Sequence, residues 1–143
     1  MIDCVRLVDI KELELLSQQD CVRFALFCAE QTKDGWRDIP ECVLTIEIVE
    51  RWLEGKVTLD ECIVAMHDVA RVTQGSINAV YYAIRATVAT MYSAGVATEA
   101  SIAASYYAAK CNRLQRIEEQ WKYYEELLYF DDIAERALLG EIV

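Results

Sequence analysis

The stretch Arg51-Trp52-Leu53-Glu54-Gly55-Lys56-Val57-Thr58-Leu59-Asp60-Glu61 reads as one helix ending and the next beginning within a few residues. Gly55 has no Cβ and can take the left-handed conformation that closes a helix. Thr58 is placed to cap the next helix, and Glu61 lies where a capping box needs its acid. Apolar residues at helical spacing flank the turn. Upstream, Cys42, Ile46, Val49 and Leu53 make one stripe, with Glu47, Glu50 and Glu54 on another face. Downstream, Leu59, Ile63, Met66 and Ala70 make the next stripe. The pattern predicts an all-α protein.

Extending outward, a first helix is expected over Val5 to Leu16, and Ser17 with Asp20 can cap a second running to Gln31. Thr32 to Ile39 reads as a loop, and Pro40 suits the first turn of the third helix, where a missing N–H costs nothing. Gly35, Gly55, Gly75 and Gly95 punctuate the chain, and helices of about 15 to 18 residues fit between them. Ser76 can cap a fifth helix with Ile77, Val80 or Tyr81, Ile84, Val88 and Met91 facing inward. After Gly95 the pattern is helical to Phe130. Its heptad-like seam is Ala100, Ala103, Tyr107, Cys111, Leu114, Ile117, Trp121, Tyr124 and Leu128. A straight helix of that length would span roughly 50 Å at 1.5 Å per residue, against a radius of gyration of about 14 to 15 Å for a chain of this size. Either it kinks near Asn112, or it projects and packs on another chain. Its apolar residues are expected to be covered by the N-terminal helix or by a second subunit. A short last helix, Asp131 to Leu139, would be capped by Asp131 or Asp132. The expected architecture is a compact bundle of six to seven helices. The Ala- and Tyr-rich segment Ser76–Ala109 would supply its central hairpin.

The 143 residues are 55% hydrophobic, enough for one domain with one core, and carry a net charge of −10. That balance argues against nucleic-acid binding, which needs Lys and Arg to displace counterions. It favours steering toward a basic partner. Five of the six cysteines, Cys21, Cys28, Cys42, Cys62 and Cys111, fall in helical apolar patterns and read as core thiols rather than a disulfide scaffold. The opening Met1-Ile2-Asp3-Cys4-Val5-Arg6 has no basic start or long apolar run, so no secretory signal is expected and a cytoplasmic location is. No uncharged run reaches the ~18 residues of a membrane span.

No motif for catalysis, metal or cofactor binding emerges. His67 is the sole histidine and reads as a partly exposed helix residue; no Cys-x-x-Cys or phosphate loop occurs. Arg85, mid-helix among Tyr81, Tyr82, Ile84 and Val88, would need a partner if buried. Glu30 and Glu99 are the candidates for a structural ion pair. Candidate partner-facing residues are Asp131, Asp132 and Glu135 in the acidic C-terminal cluster, then Glu47, Glu50 and Glu54. Trp36 in its loop would be either a plug on the bundle end or, if exposed, an interface anchor.

Three segments together carry a resemblance: "ALFCAE" (Ala25–Glu30), "ERWLEGKVTLDECIVAMHDVAR" (Glu50–Arg71) and "AVYYAIRATVATMYSAGVATEASIAASYYAAK" (Ala79–Lys110). The chain resembles the immunity proteins of bacterial polymorphic toxin systems, over Ser17 to Lys110 with an echo at Gln120-Trp121. Members often carry histidines in the Ala-rich hairpin; here Met91, Tyr92, Tyr106 and Tyr107 stand in that region. The resemblance implies a non-enzymatic helical protein, bacterial or phage-borne, that neutralises a toxin by binding it. Residues 17–110 would then be the family-like core and 111–143 a helical extension of the same domain. The rival reading is an oligomeric scaffold or adaptor, or an inhibitor of a host protein, with a homodimer forming through the C-terminal half of the long helix.

Overall fold

The computed structural model describes residues 6–72, 79–110 and 113–138. They form seven α-helices and no strand: α1 (Ile10–Leu13), α2 (Gln18–Glu30), α3 (Pro40–Leu53), α4 (Leu59–Val72), α5 (Ala79–Ala89), α6 (Ala94–Ala108) and α7 (Arg113–Leu138). A 3₁₀ turn, Lys33–Gly35, precedes α3.

The deciding turn forms as read. Gly55 has φ +76°, and Thr58 and Glu61 exchange the two capping-box bonds at 3.0 and 3.3 Å. Pro40 occupies the first turn of α3, and Ser17 Oγ accepts from the Asp20 N–H at the start of α2. α1 is shorter than the expected Val5–Leu16. Asp9 and Glu12 form their own capping box and start the helix only at Ile10. Gly95 ends no helix. Ser93 caps α6, its Oγ accepting from the Val96 N–H, and Gly95 sits in the first turn that follows. The expected Ser76 cap and Gly75 break lie outside the described residues.

The helical pattern from Gly95 to Phe130 is two helices, α6 ending at Ala108 and α7 beginning at Arg113, in keeping with an interruption near Asn112 and not with one straight projecting helix. α6 stops at Ala108, and α7 carries the side chains that satisfy its last carbonyls. Arg116 Nη1 donates to Ala108 O at 2.6 Å and Gln120 Nε2 to Ser105 O at 3.3 Å. A cation there also suits the negative end of the helix dipole. The short last helix is absent: α7 runs through Asp131 and Asp132 to Leu138 as one helix.

α2 is the central strut, packed on α5 and α6, with α3 and α4 paired beside it and α7 laid along it. Close approach on α6 comes from a stripe of small residues, with Ala97, Ala100, Ser101, Ala104, Ser105 and Ala108 all buried. Thr87 Oγ1 donates to Ala25 O at 3.2 Å and Ser101 Oγ to Cys21 O at 3.1 Å, so these contacts need no bulk. The buried face of α4 is Cys62, Ala65 and Val69; the expected stripe Leu59, Ile63, Met66 and Ala70 is only half-buried beside it. Among the side chains of α7 described, those of residues 113–129, the buried ones are Ile117, Gln120, Tyr124 and Leu127, so the seam runs one residue off the expected Trp121 and Leu128, and Leu114 is exposed.

The N-terminal segment covers α7, as one of the two expected arrangements had it. Val8, Leu13 and Leu16 join Phe24, Tyr124 and Leu127 in one core cluster, with Trp121 and Leu128 against it. Tyr124 Oη donates to Glu12 O at 2.6 Å and Trp121 Nε1 to Arg6 O at 2.9 Å. The Arg6 guanidinium lies 4.8 Å from the centre of the Trp121 ring.

Candidate functional site: an acidic groove between α2 and α7

Residues 23, 27 and 30 of α2 share a half-buried helix face, at the spacing of successive turns. Opposite them α7 presents residues 119, 122, 123 and 126, the face beside its buried stripe. The two faces meet at a stacked pair: the Phe27 and Tyr123 rings have centroids 4.5 Å apart and planes 7° from parallel. Around that pair the surface is concave. A hollow of about 400 Å³ is lined by Phe27, Glu30, Gln31, Gln115, Arg116 and Glu119. A second adjoins it at Glu119, Lys122, Tyr123 and Glu126, and a third at Arg23, Leu26, Glu30 and Glu50. Phe27 lines all three, which makes them one groove.

Acidic side chains outnumber basic ones in the groove, with Glu30, Glu50, Glu119 and Glu126 against Arg23, Arg116 and Lys122. Arg23 pairs with Asp20 at 2.8 Å, and Arg116 is held on the α6 terminus. No ion pair reaches Glu30, Glu50, Glu119 or Glu126 among the described residues. Glu119 Oε1 accepts a bond from Gln31 Nε2 at 3.0 Å, and Gln31 is tied in turn to Gln120, so the groove wall is braced from beneath. Burial holds the Glu30 carboxyl above the ordinary carboxylate range. The Lys33 charge opposes that shift and the nearby Glu50 charge adds to it.

Of the residues singled out from sequence, Glu50 lines this groove, while Glu47 and Glu54 are exposed elsewhere on α3 and its cap, Glu54 pairing with Lys56 at 2.9 Å. The side chains of Asp131, Asp132 and Glu135 lie outside the described residues. Trp36 is the plug and not an exposed anchor: it is 2% exposed, and its Nε1 donates to Ala29 O at 2.9 Å. A ring that size caps the end of the core only with its N–H satisfied, and the end of α2 supplies the acceptor. Arg85 is exposed and forms no ion pair with Glu30 or Glu99 among the described residues; its guanidinium lies over the Tyr82 ring at 5.6 Å. α5 buries its Ala83, Ile84, Thr87 and Val88 face, which turns Arg85 outward and removes the need for a partner. Sequence reading missed Phe27, Glu119, Tyr123 and Glu126. The recurrence of Glu119, Lys122 or Tyr123, and Glu126 at helical spacing was visible, but nothing local says that α2 lies opposite.

Among the described residues no group of His, Cys, Asp and Glu is arranged to hold a metal ion, and no helix is long and apolar enough to cross a membrane. The described residues form an all-helical protein. The family described as Imm-5 like putative immunity protein matches residues 11–128, and the chain belongs to it. No curated protein and no solved structure matches the chain.

Proposed function

We propose that this protein is an immunity protein that binds a basic toxin through the α2–α7 groove and neutralises it without catalysis. Family membership supports the immunity role and the implied protein partner. One observation carries the placement of the interface: a stacked aromatic pair, Phe27 and Tyr123, lies in a groove whose carboxylates lack cationic partners among the described residues. Glu30 is the sharpest case. It is half-buried near a like charge, so its ionised form is strained in the free protein. A partner's Lys or Arg would relieve that strain, and the surrounding charge would speed encounter. A toxin acting on nucleic acid needs a basic active site of its own, which fits such a face.

The test is co-expression with a toxin encoded beside this gene, scored by survival and complex formation. Wild type protects; Glu30→Lys with Glu119→Lys loses protection and slows association more than tenfold at low salt, while Glu47→Lys does not. Equal protection by both variants removes the groove from the interface, and no protection by wild type counts against immunity for that pair. The conservative Glu30→Gln separates binding from folding. It raises the melting temperature at pH 7, because the strained charge is gone, and the gain vanishes as pH falls and wild-type Glu30 takes up its proton. The same variant weakens the complex. The C-terminal trio Asp131, Asp132 and Glu135 is the second candidate surface, tested by the same charge reversal.

A further inference from the structure

A second surface, of opposite sign, lies on the α5–α6 hairpin. Five side chains form an unbroken row across the two helices. The Arg85 guanidinium sits 5.6 Å from the Tyr82 ring centre, and Tyr82 stacks on Tyr107 with centroids 5.1 Å apart. Tyr107 meets Tyr106 edge to face at 5.4 Å, and the Lys110 ammonium sits 4.3 Å above the Tyr106 ring. Lys110 Nζ also donates to Tyr106 Oη at 2.7 Å. Arg85, Tyr106 and Lys110 are exposed, and Tyr82 and Tyr107 are half-buried. None of the five belongs to the buried clusters that make the core. Neither cation pairs with a carboxylate among the described residues. In a chain with 14 basic residues against 24 acidic ones, two such cations at the ends of one tyrosine row are an unusual use of positive charge.

Tyrosine and arginine are the residues that dominate binding energy at protein interfaces, because they bring large rigid area and a polar tip at small entropic cost. We propose that this row is a second docking surface, which takes an acidic protein segment: its carboxylates pair with Arg85 and Lys110, and an apolar side chain between them lies across the tyrosines. Charge complementarity selects the partner class. A nucleic acid would need many phosphate contacts from a chain of net charge −10. A short acidic segment needs only the two cations present. The row shares no residue with the lining of the acidic groove, and its test requires no toxin and does not depend on the immunity reading.

The full-length protein is used to select from a displayed library of random peptides, and the winners are measured by fluorescence anisotropy at two salt concentrations. An oligothymidylate is measured alongside. The expected winners are rich in Asp and Glu, bind more weakly as salt rises, and lose about tenfold or more in affinity against Arg85→Glu and against Lys110→Glu. Arg37→Glu makes the same charge change at another exposed site and is expected to bind as wild type does. Both test positions are exposed, so the helical signal should persist in each variant. Winners without acidic enrichment, equal binding by all the variants, or tighter binding of the oligothymidylate would each overturn the proposal.

Discussion

Cys21, Cys28, Cys42 and Cys62 are each enclosed by the core and unpaired. Burial pushes the thiols of Cys21, Cys42 and Cys62 up to about 11 and raises that of Cys28 well above the ordinary thiol range. The sign of the consequence follows. An unfolded thiol ionises near 9.0, while its folded counterpart stays protonated to about 11. Unfolding therefore releases protons in that window, and stability present below pH 9 declines as pH rises through it. Tyr123 and Tyr124, whose hydroxyls burial also pushes up, act in the same direction. Chemical denaturation followed from pH 8 to 11 should show a falling midpoint, and Cys28→Ala should reduce the slope. Thiol titration in denaturant without reductant should recover all six cysteines; in the folded state these four should react slowly, because the thiolate is the reactive form. The burial of these four was legible in sequence because a helix stripe is a local property; Cys111, expected to join them, lies outside the described residues.

Local stereochemistry also fixes much at the scale of single elements. The α3–α4 turn rests on two features that can be removed separately. Gly55 sits at φ +76° with open space where a Cβ would go, so Gly55→Ala clashes with nothing and reports backbone strain alone. It should cost roughly 1–2 kcal/mol. Thr58→Ala removes the cap on the Glu61 N–H and should cost about 1 kcal/mol. Urea denaturation measures both, and a Gly55→Ala cost near zero would show that the turn does not depend on the left-handed residue. By contrast, the α6–α7 break carries no Gly or Pro, and Asn112 was its one local signal. Between Ala100 and Leu128 every step fits a helix, and the interruption is set by Arg116 and Gln120 reaching back to carbonyls of α6. The α4 and α7 stripes were displaced for a related reason. Ala65 and Gln120 are weak hydrophobic signals, yet each is buried, because backbone proximity and amide pairing selected them over bulkier neighbours.

Across the whole molecule, the N-terminal segment turns α7 from an overhanging helix into a packed one. Trp121 and Tyr124 are both anchored on backbone carbonyls of residues that precede α2, Arg6 and Glu12. Trp121→Glu would break the Arg6 contact and set a carboxylate against apolar Leu and Val side chains. A loss of about 1–3 kcal/mol is expected, with no change in sedimentation, because the cover comes from the same chain. A wild-type dimer that dissociates on this substitution would instead place a second subunit on the seam. Tyr124→Phe is the milder companion: it removes the hydroxyl donor from the Glu12 carbonyl, which keeps the Leu15 N–H, and should cost about 1 kcal/mol.

Caps, turns and stripe periodicity determined the helical class, the starts of α2, α3 and α4, and the burial of Cys21, Cys28, Cys42 and Cys62, since each depends on residues within a turn or two of one another. The resemblance carried by Ala25–Glu30, Glu50–Arg71 and Ala79–Lys110 reached the family directly. Which faces meet was decided only by the tertiary structure. Phe27 and Tyr123 are far apart in the chain, and nothing near either one encodes the other. Their stacking follows from α2 being the element that α5, α6 and α7 all pack against. The same packing brought Glu50 to Glu30, turned Arg85 outward onto its tyrosine row and hid Trp36. A side chain's neighbours along the helix are fixed by the 3.6-residue repeat, but its partners across space are fixed by how whole faces share a limited volume.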